Sequence, residues 1–322
     1  MYFILNQNDS AHYAKINKAF LGDENAYVMA SIPDSSIYKN IDVWLFSFNL
    51  NATNYNNEWI DSVKLEPTYE VPKDTVRLNG EPAIFPPEGN LLYKTTLLLK
   101  TDRQYKLMIY IPGSNKRIFS ITRLNNDFSV IKPTSVEQIS FYNSMTGYRD
   151  YTVKWQCDSN AVLYGISMRF HYREEYSDGA AADKYVDWVR PNISHADPEG
   201  KDVISSTFPG DGFYSYIGTV ISEGDDPLIK RVSTGIDFIF VSAGEELSTY
   251  IKMNDPSNSM VQERPLFSNF DDEHKYTTFG VFSARFNKTI AGKNLDDMSL
   301  QELAKGDATR HLRFKDQNGQ TW

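Results

Sequence analysis

Tyr164-Gly165-Ile166-Ser167-Met168-Arg169-Phe170-His171-Tyr172-Arg173-Glu174 is the stretch that decides the fold. Ile166, Met168, Phe170 and Tyr172 alternate with Ser167, Arg169, His171 and Arg173. Successive side chains of a strand point to opposite faces, so this period of two gives one apolar face and one basic face. The apolar face belongs against a core. The basic face is either balanced by acids across the sheet or open to an anion or a partner.

The same reading extends outward. Residues 42–48, 59–65, 91–99, 104–111 and 117–122 read as strands before it, and 139–142 and 151–156 lead into it. Residues 184–189, 230–241 and 279–288 follow. Pro112-Gly113-Ser114-Asn115 is a turn between two of them. Strands at short spacing, without alternating helices, imply antiparallel sheets. We therefore expect a mainly β protein of two β-rich domains. The first, 1–125, is expected to be an immunoglobulin-like antiparallel sandwich. The second, 135–322, is expected to be a larger sandwich or sheet domain with two or three short helices. Turn-rich residues 124–137 mark the boundary.

Two helices carry start signals, and a third is open. Ser242-Ala243-Gly244-Glu245 and Ser299-Leu300-Gln301-Glu302 fit capping boxes, and Gly306 sits where a helix should stop. Phe213, Ile217, Val220 and Ile221 share one helical face. A short helical turn is expected from Asn25 to Ala30. Residues 66–90 carry Pro67, Pro72, Pro82, Pro86 and Pro87 and read as loop or edge segment, because proline cannot donate to a ladder.

Composition narrows the chemistry. At 322 residues, with 41% hydrophobic and 23% charged residues, the chain can bury two cores and is globular. Its net charge of −9, without a Lys/Arg block, argues against a nucleic-acid partner. The single cysteine, Cys157, reads as a buried small hydrophobe. The chain starts Met1-Tyr2-Phe3-Ile4-Leu5, which reads as a strand and lacks the pattern of a signal peptide.

No catalytic or metal motif assembles. The five histidines stand apart, with no His-Glu-x-x-His. Gly210-Asp211-Gly212 lacks the third glycine at dinucleotide spacing, so no cofactor is indicated. Asp225-Asp226, Asp271-Asp272-Glu273 and Asp296-Asp297 read as solvated acidic loops, though two carboxylates at the right separation would suit glycoside hydrolysis. Binding candidates are Arg169, His171 and Arg173 on the basic face, Trp59 after the polar run Asn54-Tyr55-Asn56-Asn57-Glu58, and Trp188. Trp44 and Trp155 lie inside strands and read as core.

Several segments carry a resemblance. Residues 6–22, opening Asn6-Gln7-Asn8-Asp9-Ser10, are similar to the start of an uncharacterised Bacteroidetes exported lipoprotein family, a domain of unknown function. Ile32-Pro33-Asp34-Ser35-Ser36, Arg169-Phe170-His171-Tyr172, Val186-Asp187-Trp188 and Gly280-Val281-Phe282-Ser283-Ala284-Arg285-Phe286 continue it in order. The resemblance implies export to the cell envelope, as an outer-membrane lipoprotein held by a lipid anchor that these residues do not include. It supplies no active site. The expectation is an envelope-anchored, non-enzymatic binding or interaction protein, with an unknown ligand or envelope protein as partner and a place in nutrient handling at the cell surface. A glycan-active hydrolase is the alternative, and a structural or adhesin subunit the third reading.

Overall fold

The computed structural model describes residues 1–18, 28–29, 32–38, 40–73, 90–195, 199–223, 228–254, 266–272 and 278–321. The protein is mainly β, with several antiparallel sheets and a few helices. It forms two compact units, one of 1–126 with 243–286, the other of 127–242 with 287–322.

Unit 1 holds two sheets. Its strands are β1 (Tyr2–Leu5), β2 (His12–Lys15), β3 (Asp42–Asn49), β4 (Asp61–Lys64), β5 (Glu66–Thr68), β6 (Leu92–Thr95), β7 (Arg103–Ile111) and β8 (Lys116–Arg123). One sheet runs β4–β3–β7–β8 and continues to the short strand Asp271–Asp272, antiparallel at every step. In the other, β1–β2–β6–β5 are antiparallel, and residues 281–284 pair in parallel with β1. Pro67 lies on β5, which among the described residues pairs with β6 alone, an edge position where a missing donor is tolerated.

Inward residues of both sheets make one core. Phe3, Leu5, Ala14 and Phe282 come from one sheet, and Val43, Leu45, Leu107, Ile109 and Ile118 from the other. This is a sandwich interior. Along β3, Val43 and Leu45 are buried while Trp44 and Phe46 between them are half-buried, so the outer face of this sheet is aromatic as well.

Unit 2 has a second set of strands: β9 (Val130–Lys132), β10 (Tyr142–Asn143), β11 (Gly147–Tyr148), β12 (Tyr151–Gln156), β13 (Leu163–Tyr176), β14 (Ala181–Val189), β15 (Ile193–Ser194), β16 (Val203–Phe208) and β17 (Leu228–Ala243). β12 lies between β16 and β9, antiparallel to both. β13 pairs with β14 in continuous antiparallel register from Ser167↔Val189 to Glu175↔Ala181, with β17 on its other side. Ile166, Met168 and Phe170 of β13 are buried, together with Trp155, Phe208, Phe238 and Phe240. Aromatic pairs dominate this core: Phe141 stacks on Phe213 at 4.4 Å, Trp155 meets Phe240 edge-on at 5.3 Å, and Phe170 meets Phe213 at 5.7 Å. Each such pair adds to the burial of area.

The units differ from a simple cut at 124–137. Residues 243–286, placed by sequence in the second domain, belong to unit 1. Turn residues mark only the first crossing. At the other two, the boundary falls at the end of the strand Leu228–Ala243 and within the strand Val281–Lys293.

Helices form at the two places marked by start signals and at the apolar face of 213–221, but two caps differ. The helix Gly210–Val220 follows Pro209 and buries Phe213, Tyr214 and Ile217. Its first residue must be glycine, because a Cβ there would sit 2.4 Å from the Arg149 carbonyl oxygen. The helix Asp297–Lys305 is capped by Asp296, whose side chain accepts the Ser299 N–H at 2.8 Å. Ser299 is not the cap. Its hydroxyl oxygen accepts the N–H groups of Phe141 and Tyr142 at 2.8 and 3.2 Å. The helix Glu245–Asn254 likewise starts beyond Ser242, which lies within a strand, and its Leu247 N–H donates to the Ser283 hydroxyl at 3.3 Å. A polar group from elsewhere in the fold replaces the local cap. Most of the helical turn expected from Asn25 to Ala30 lies outside the described residues.

Candidate functional site

Two surfaces gather the candidates named from sequence. The first is the solvent face of β13 and β14 in unit 2. Arg169 forks onto Asp187, directly across on β14, at 2.7 and 2.8 Å. Arg173 forks onto Asp183 at 2.7 and 3.1 Å. Nε2 of His171 lies 2.9 Å from Oδ2 of Asp237 on β17, and Oδ1 of Asp237 accepts the Gly292 N–H at 2.8 Å. Tyr185 stands opposite His171 in register, with the Arg169 guanidinium 3.9 Å from its ring centroid. An open cavity of about 310 Å³ is lined by His171, Arg173, Asp183, Lys184, Tyr185 and Thr234.

This face is a charge-matched ladder. The hydrogen bond from Arg173 holds the Asp183 carboxyl below its ordinary value, and the bond to Asp187 pushes the Arg169 guanidinium up. On the opposite face of these strands, Lys184 pairs with the buried Glu174 at 2.6 Å. Each cation already has its anion, so a bound anion would have to displace a carboxylate. Fixed bidentate forks also set strand register and orient Tyr185.

Trp188, on the same strand as Asp187, is engaged on several sides. Its ring stacks on Tyr216 at 5.5 Å and 13° and meets Phe208 edge-on at 5.5 Å. The Arg190 guanidinium lies 5.5 Å from it. Tyr216 in turn donates its hydroxyl to the Asp187 carbonyl at 2.5 Å. Trp188 anchors the helix Gly210–Val220 to β14.

The second surface is the loop 49–60 of unit 1, which joins β3 to β4. Trp59 is 47% exposed, and its ring meets Phe46 edge-on at 5.7 Å. Phe46 lies beside Trp44 at 6.2 Å, so the three rings continue one another along the outer face of β3. Asn51, Thr53, Asn54, Asn56, Asn57 and Glu58 are exposed beside them.

The loop is exposed yet tied to the sheet from below. Gln104, only 2% exposed, points its amide nitrogen at the carbonyls of Asn49, Leu50 and Ala52, at 2.9, 3.3 and 3.1 Å. Two N–H hydrogens serve three oxygens, so the bonds are shared. The Gln104 carbonyl accepts the Tyr55 hydroxyl at 3.1 Å. Lys106, also buried, donates to the Tyr55 carbonyl at 3.2 Å while its ammonium lies 4.6 Å from the Phe119 ring centroid. Arg123 donates to the Leu50 carbonyl at 3.0 Å, and Arg103 to the Asn49 side chain at 2.7 Å. Phe48 packs edge-on against Tyr55 at 5.3 Å. A loop whose carbonyls are satisfied by buried donors is preorganised.

Sequence reading singled out Trp59 but not the residues that hold its loop. The signal available was Gln104 at the start of an apolar strand, opposite a stretch with five asparagines between 49 and 57. Only the register, which sets Phe48 against Gln104, shows that the two meet.

Other chemistry is sparse among the described residues. No group of three or more His, Cys, Asp or Glu there is placed to hold a metal ion, and no helix is long and apolar enough to cross a membrane. Asp225-Asp226 and Glu273 lie outside the described residues, and Asp296 is committed to its helix cap. Cys157 is buried. In comparisons with known proteins, no family model and no curated protein matches the chain.

Proposed function

We propose that the protein is an exported, envelope-anchored binding protein without a catalytic role, and that it holds its ligand on the loop 49–60 of unit 1. The observation that carries the reading is the fixation of an exposed loop by the buried Gln104 and Lys106. Loops set on a rigid scaffold are the usual place for recognition. Ordering such a loop in advance removes an entropic cost from binding, which serves a receptor directly.

The charge ladder of β13 and β14 supports the same reading in a different way. Its arginines and His171 are matched by acids at 2.7 to 3.1 Å, an arrangement that fixes a sheet. The envelope location rests on the resemblance of residues 6–22, 169–172 and 280–286 to exported lipoproteins.

Two measurements test the reading together. The full-length gene product should partition with the outer-membrane fraction of its native cell. The purified protein should release no reducing sugar from a panel of polysaccharides. Recovery in the cytosolic fraction, or steady sugar release, would overturn it.

A further inference from the structure

We propose that the ligand of the loop 49–60 is a neutral carbohydrate, with Trp59 as the stacking surface and the loop asparagines as the hydroxyl-binding groups. The inference rests on the binding reading above and adds to it the chemical class of the ligand.

Three properties of the surface select that class. The first is an open aromatic ring. Trp59 keeps about half of its surface in water while Phe46 holds one side of it. A large aromatic left half exposed beside two more rings is a costly surface to keep unless something covers it. A pyranose ring presents a face of C–H groups that suits it.

The second is the density of amides. Asn51, Asn54, Asn56 and Asn57 are exposed within seven residues of chain, and Thr53 lies among them. Each amide offers two donors and an acceptor, which matches a vicinal pair of hydroxyls better than any singly charged side chain does. The side-chain Oδ1 of Asn54 accepts the Asn56 main-chain N–H at 3.1 Å, so part of this array is already set in a turn.

The third is charge. Between Leu50 and Ile60 the only charged side chain is Glu58. A polyanion such as nucleic acid or a sulfated glycan would need uncommitted cations; Lys106 is buried against Phe119, and Arg103 and Arg123 are spent on the Asn49 side chain and the Leu50 carbonyl. An apolar protein surface would have to desolvate the amides without replacing their hydrogen bonds. A neutral sugar satisfies the ring and the amides at once.

The arrangement is also stiff where stiffness matters. Sugars bind through many weak polar contacts, so affinity depends on donors that need no reordering. The carbonyl clamps of Gln104, Lys106 and Arg123 supply that order from beneath the loop.

The test is affinity electrophoresis of the intact protein in gels containing soluble starch, xylan, galactomannan or mixed-linkage β-glucan. At least one polysaccharide should retard the wild type, and Trp59→Ala should weaken that binding by about tenfold or more, as loss of a central aromatic anchor does. Trp59→Tyr should retain most of it. The Trp59→Ala urea midpoint should stay close to wild type. In a parallel measurement that needs no variant, saturating oligosaccharide of the retarding type should slow amide exchange in 50–60. Absence of retardation in every gel overturns the carbohydrate assignment. So does retardation that survives Trp59→Ala, or exchange protection confined to residues outside the loop. Absence of retardation leaves the broader reading standing as long as the protein releases no sugar and partitions with the outer membrane, whereas protection outside the loop overturns both, so the two can fail separately.

Discussion

Arg231 and Glu174 meet in the interior of unit 2, with side chains 1% and 5% exposed and a nitrogen–oxygen distance of 2.8 Å. The rest of the guanidinium donates to main-chain carbonyls: Leu312 at 2.8 Å, Ser222 at 2.9 Å and Glu223 at 3.3 Å. Glu174 also accepts from Lys184 and from the Tyr176 hydroxyl, each at 2.6 Å. The Arg231 backbone pairs with Arg313 and Lys315. One arginine thus ties β13, β17 and the chain's last segment together.

Truncating that arginine should be among the most damaging single changes in unit 2. Arg231→Ala strands part of a buried carboxylate and three carbonyls, and loss of one partner of a buried pair costs about 3–5 kcal/mol. Arg231→Lys should recover little, because an ammonium cannot fork onto a carboxylate and three carbonyls from one position. Urea unfolding of the three proteins checks this, and a lysine variant as stable as wild type would contradict it.

The same carboxylate sets an acid limit on stability. Burial alone would raise its pKa, but hydrogen bonds from Lys184, Tyr176 and Arg231 outweigh burial and hold Glu174 down at about 2. A depressed carboxylate stabilises the fold fully above its unfolded value of ~4.3, and the contribution is lost as pH falls toward the folded value. The shift corresponds to a contribution on the order of 3 kcal/mol, shared with its coupled partners. Unfolding free energy should therefore decline between about pH 4.5 and 2, and Glu174→Gln should flatten that slope. An unchanged slope in the variant would assign the acid sensitivity to other carboxylates.

The two faces of β13 should respond in opposite ways. Phe170 is 1% exposed and packs on Phe213, Tyr172 and Phe314, so Phe170→Ala should cost about 3–5 kcal/mol. Arg169 is part-exposed and paired across the strand, so Arg169→Ala should cost no more than about 1 kcal/mol. Denaturation curves of both variants decide it, and an arginine change costlier than the phenylalanine change would contradict the assignment.

These contrasts show what the amino-acid order makes legible. The period of two in β13 names its buried and solvent faces because burial acts residue by residue on one strand. The mainly β class follows from the same local signal repeated. The return of 243–286 to unit 1 is not legible, since it depends on which strands pair and not on what each strand is. The cap at Asp296 is missed for a similar reason: Ser299 fits a local capping pattern, but its hydroxyl is claimed by Phe141 and Tyr142, distant in sequence. Trp59 could be singled out from its polar neighbours. The clamp beneath it could not, because Gln104 lies some fifty residues away and reaches the loop only through the β3–β7 register.

That clamp gives the last prediction. If Gln104 fixes the loop, Gln104→Glu should release it: the side chain keeps its size, but the donors facing Asn49, Leu50 and Ala52 become acceptors. Facing a carboxylate with three carbonyls is unfavourable, and the group is 2% exposed, so water relieves little of it. The expected cost is about 2 kcal/mol or more. The clearer readout is local. Amide exchange in 50–57 should speed up well beyond the change in the rest of unit 1, because these residues have few buried apolar contacts of their own. Gln104→Ala should do the same with a smaller loss of stability, since it removes the bonds without adding repulsion. Exchange in the loop that tracks the remainder of unit 1 in both variants would mean that Lys106, Arg123 and the Phe48–Tyr55 contact hold the loop without Gln104.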